Sequence, residues 1–124
     1  MRDLELLTSK QIELEDIYGV IDKNFKIKGS SNEGIFFGKY PNSVDITFKK
    51  SRMFSDCEFE SDLFEEEYKG KIPIENAFRT SVRYHVTSIT KKLVTSLLPL
   101  FPELCIYDND EDWLGTAKEY LDKE

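Results

Sequence analysis

At 124 residues, with 40% apolar side chains that include nine Phe, six Tyr and one Trp, the chain has the length of a single domain, 1–124, and the bulk for one hydrophobic core. Six Gly and four Pro are too few for a disordered or fibrous chain. A formal net charge of −7 disfavours direct binding to DNA or RNA, which needs clustered Lys and Arg against phosphate, and favours attraction to a basic protein.

The opening Met1-Arg2-Asp3-Leu4-Glu5-Leu6-Leu7 lacks the basic start and long apolar run of a secretory signal, so a cytoplasmic location is expected. Thr8 or Ser9 as cap, Gln11 three positions after Thr8, and Leu14, Ile17, Ile21 and Phe25 at helical spacing predict a helix over 8–24. Gly29-Ser30-Ser31-Asn32 is a loop by composition, with a short edge strand before it at Lys26-Ile27-Lys28. A β-hairpin follows: Ile35 to Gly38, turn chemistry at Pro41-Asn42, then Val44, Ile46 and Phe48 alternating with Asp45, Thr47 and Lys49.

Residues 56–70 fit either a short amphipathic helix or an irregular connection ended by Gly70. From Ala77 the period is two, placing Phe78, Thr80, Val82, Tyr84 and Val86 on one side and Arg79, Ser81, Arg83 and His85 on a basic outer face. Thr87 or Ser88 then caps a helix with a core stripe of Ile89, Leu93, Ser96/Leu97 and Leu100, ended by Pro99 and Pro102. Residues 103–107 form a short strand, an acidic loop follows, and Thr116 with Glu119 makes the capping box of a last helix. The order predicts an α+β fold: a mainly antiparallel sheet of about four to five strands with helices packed on one face, the passage through 77–107 being able to make one pair parallel. Leu97 to Phe101, the longest mostly apolar stretch, is far short of the roughly 20 residues needed to cross a bilayer, so no membrane association is expected.

Charge is divided unevenly: residues 1–55 carry nine Lys/Arg against eight Asp/Glu, residues 56–124 eight against sixteen. Seven carboxylates crowd residues 56–67, Asp56, Glu58, Glu60, Asp62, Glu65, Glu66 and Glu67, with Phe59 and Phe64 among them. Apolar anchors between like charges suit a surface that docks a basic partner, although a solvated helix face with inward aromatics has the same pattern. Asp108, Asp110, Asp112 and Glu119 repeat the carboxylate spacing of a calcium loop, yet Trp113 stands where that loop needs Gly, so an exposed acidic turn without metal is expected. His85 beside Arg79 and Arg83 would hold its proton weakly, but it has no partner histidine or oxyanion loop, and no catalytic residue or cofactor is assigned. Cys57 between two carboxylates and Cys105 in an apolar run read as reduced, unreactive thiols.

A small acidic α+β chain with a carboxylate-rich middle and the ending Leu104-Cys105-Ile106-Tyr107-Asp108-Asn109-Asp110-Glu111-Asp112-Trp113-Leu114-Gly115-Thr116 resembles the immunity proteins of bacterial contact-dependent inhibition and related polymorphic-toxin systems. The resemblance implies a non-enzymatic cytoplasmic inhibitor, monomer or weak dimer, that binds a cognate toxin domain, often a basic nuclease, and blocks its active site. Asp56, Glu58, Phe59, Glu60, Asp62, Phe64, Glu65, Glu66, Glu67, Asp108, Asp110, Glu111, Asp112 and Trp113 are the expected contacts. The alternative is a small-ligand or metal-responsive module using a pocket between sheet and helices, with the acidic turn near its mouth.

Overall fold

The computed structural model describes residues 2–52 and 77–123, and its first strand organises the rest. β1 (Arg2–Thr8) alternates Leu4 and Leu6 with Asp3 and Glu5, and it pairs antiparallel with a strand on either side. After α1 (Leu14–Asn24) come β2 (Ile27–Ser31), β3 (Gly34–Phe37) and β4 (Val44–Arg52), then β5 (Phe78–Tyr84), α2 (Thr87–Leu97), β6 (Cys105–Asp108), β7 (Trp113–Thr116) and α3 (Ala117–Asp122). The seven strands form one sheet in the order β2-β3-β4-β5-β1-β6-β7, and every neighbouring pair is antiparallel.

The α+β class and the antiparallel sheet are as expected, but the strand count is seven where four to five were expected. The two extra strands are β1, which the leucine spacing hid at the entrance to a helix, and β7, hidden in an acidic loop. β5 and β6 do run in the same direction, but β1 lies between them, so no parallel pair forms.

The first helix starts at Leu14 rather than near Thr8, because Thr8 ends β1 and its hydroxyl donates to the Lys10 carbonyl. Asp16 accepts the Glu13 backbone N–H at 2.9 Å, which satisfies a donor at the helix start. Helix α2 buries Thr90, Leu93, Val94 and Leu97. That stripe is rotated from the expected one: Leu93 and Leu97 face the core, whereas Leu100 lies past the helix end and is exposed. Thr90 tolerates burial because its hydroxyl is 2.8 Å from the Thr87 carbonyl and 2.8 Å from the Tyr120 hydroxyl. The capping box of Thr116 and Glu119 opens α3 as the sequence predicts, and those hydrogen bonds, from the Thr116 backbone first, hold the Glu119 carboxyl below its usual pKa.

Buried residues of the three described helices, Ile17, Ile21, Leu93, Val94, Leu97, Ala117 and Tyr120, join one cluster with Leu4, Leu6, Ile35, Phe37, Val44, Ile46, Phe48, Val82, Tyr84 and Ile106. The hairpin alternation places Val44, Ile46 and Phe48 inward as expected. The opposite face of the sheet is not the basic surface the sequence suggests. Arg79 is 1% exposed and donates to Glu5 Oε1 at 3.1 Å, while Ser81 Oγ donates to Glu5 Oε2 at 2.6 Å. Glu5 is opposite Ser81 in the β1/β5 ladder and Arg79 lies diagonally, two positions along β5, so each charged residue supplies the counter-charge that makes the other's burial tolerable.

Candidate functional site

Strand registry gathers chain segments at the two ends of the sheet. Val44 at the start of β4 pairs with Tyr84 at the end of β5, Tyr84 with Arg2 at the start of β1, and Leu4 with Asp108 at the end of β6. One rim therefore collects the β3–β4 turn, the β5–α2 junction, the start of β1 and the β6–β7 turn. At the other end of these strands, Arg52 pairs with Phe78. The described residues that flank 53–76 thus lie at that far rim.

The β6–β7 turn holds the described part of the expected contact set, and its carboxylates are mostly occupied. Asp108 is buried; its Oδ1 accepts the Asp110 and Glu111 N–H groups at 3.0 and 3.3 Å, and its Oδ2 lies 3.9 Å from Arg2. Asp110 accepts the Asp3 N–H at 3.0 Å and sits 3.7 Å from Arg2. Glu111 lies 3.6 Å from Arg2 and pairs with Lys123, whose hydrogen bond holds the Glu111 carboxyl below its usual pKa. Asp112 accepts the Tyr107 hydroxyl at 2.7 Å and makes the sharp turn with φ 50, one position before the place a calcium loop reserves for glycine.

Trp113 is a packing residue as much as a surface one. Its ring lies partly buried, 6.1 Å from that of Tyr120, with Lys123 Nζ 4.6 Å from its centroid. A Cβ at Gly115 would meet this ring at 2.7 Å, so the small residue there is what lets the indole lie down. Arg2 is the residue sequence reading missed: it joins the turn to α2 by donating to Thr87 Oγ1 at 2.8 Å, and its partners stand more than 80 positions away. Nothing local to Arg2 signals that role.

Asp56, Glu58, Phe59, Glu60, Asp62, Phe64, Glu65, Glu66 and Glu67 lie outside the described residues, as do Cys57 and the choice between helix and connection over 56–70. Their charge is nonetheless informative. The described residues carry fifteen Lys/Arg and fifteen Asp/Glu, whereas residues 53–76 carry two against eight. Apart from Glu124, the whole acidic surplus belongs to 53–76.

His85 stands in a bend after β5, not on the strand face beside Arg79 and Arg83, and its ring meets Tyr40 edge-on at 5.0 Å and 74°. Cys105 is buried, and burial first, then Glu119 and Glu103, pushes its thiol up to about 11, which suppresses the thiolate. Among the described residues, no three His, Cys, Asp or Glu side chains converge as a metal site would require. No described helix is long and apolar enough to cross a membrane. An open apolar groove of about 450 Å³ lies between the end of α2 and the start of α3, with Leu98, Pro99, Pro102, Leu104 and Ala117 along it.

No family model, curated protein or solved structure matches this chain.

Proposed function

We propose that this protein is an immunity-type inhibitor that binds a basic toxin domain, with a nuclease as the favoured class, and occludes its cationic substrate groove. The observation that carries the reading is the separation of charge: a body with balanced charge bears a 24-residue insertion between two paired strands, with eight carboxylates and two lysines. A carboxylate-rich segment can occupy a groove built for phosphate, and its field speeds encounter with a cationic surface. Asp56, Glu58, Glu60, Asp62, Glu65, Glu66 and Glu67 are the charges assigned to that task, with Phe59 and Phe64 as apolar anchors. In the β6–β7 turn, Asp110 and Glu111 are engaged by Arg2 and Lys123 and Asp112 accepts the Tyr107 hydroxyl, so these carboxylates add less to the field, and buried Asp108 serves the turn itself.

Co-purification with the product of the adjoining reading frame tests this reading. A stable complex with a basic domain, and loss of that domain's activity on adding the protein, is the expected result; absence of a complex rejects it. The apolar groove beside α3 favours a second reading, a small-ligand module. A ligand present at 100 times its Kd would raise stability by about 2.7 kcal/mol, which a thermal-shift panel reads directly.

A further inference from the structure

We draw no further inference here: the strongest candidate, the open apolar groove of about 450 Å³ between the end of α2 and the start of α3, carries nothing because nothing in the structure shows what covers it.

Discussion

The two acidic runs, residues 56–67 and residues 108–112, look alike in carboxylate density and differ in the cations the sequence and the described structure supply to them. Around the second, Arg2 and Lys123 arrive from the two ends of the chain, Asp108 sinks beneath the turn, and backbone N–H groups take up further oxygens. The first contains no basic residue, and the rest of the described chain has no surplus of cations to lend it. A count of carboxylates measures electrostatic potential only where the fold leaves them uncompensated. Glu5 is the extreme case, an acidic residue enclosed with its own arginine and serine that contributes nothing to an external field.

The contrast between carboxylates used by the fold and carboxylates proposed to meet a partner can be broken experimentally. The largest effect should come from Arg79→Ala, which strands buried Glu5 and should cost about 3 to 5 kcal/mol of stability in chemical denaturation. The double variant Glu5→Leu/Arg79→Met should recover most of that loss, because a buried pair replaced by apolar residues is often neutral. Neutralising Asp56, Glu58, Glu60 and Asp62 to their amides should weaken binding of the basic domain by well over tenfold, more than about 1.4 kcal/mol, with a flatter salt dependence. The corresponding change of Asp110, Glu111 and Asp112 should weaken binding less and lower stability more.

Smaller effects sharpen the same line. Arg2→Ala removes the bond to Thr87 and the charge that faces three carboxylates, and should destabilise the fold by about 1 kcal/mol in a denaturant titration. The Glu111–Lys123 pair gives the smallest signal. Because folding lowers the Glu111 pKa, its stabilisation is complete above the unfolded value and disappears as pH falls through the folded one. Lys123→Ala should therefore lower stability by a few tenths of a kcal/mol near pH 7, about what an exposed pair contributes, and the difference should shrink in acid below the carboxylate range to what the Lys123–Trp113 contact supplies.

What was legible in the sequence was local. Val44, Ile46 and Phe48 alternate within one strand, and Thr116 and Glu119 cap a helix from three positions apart, so neighbours along the chain suffice to read them. β1 was hidden because its central position in the sheet is set by β5 and β6, both at least 70 positions away, and Leu6-Leu7 blurs its alternation. The inward turn of Arg79 depends on Glu5, 74 positions away, and the neutralisation of the acidic turn depends on Arg2, more than 100 positions from it. Asp108 looks like an exposed contact in the sequence for the same reason, yet it is buried. Long-range partners decide whether a charge faces water, and a single sequence does not pair them.

The most direct measurement is the affinity of the full chain for the product of the adjoining reading frame, tested as the proposed basic partner across ionic strengths from low to physiological, and repeated with the four-amide variant of residues 56–67. A steep loss of affinity with salt for the parent and a much flatter response for the variant is the expected outcome. Equal salt slopes for the two proteins, or no complex at low salt, would contradict the assignment of the net negative segment 56–67 to partner binding.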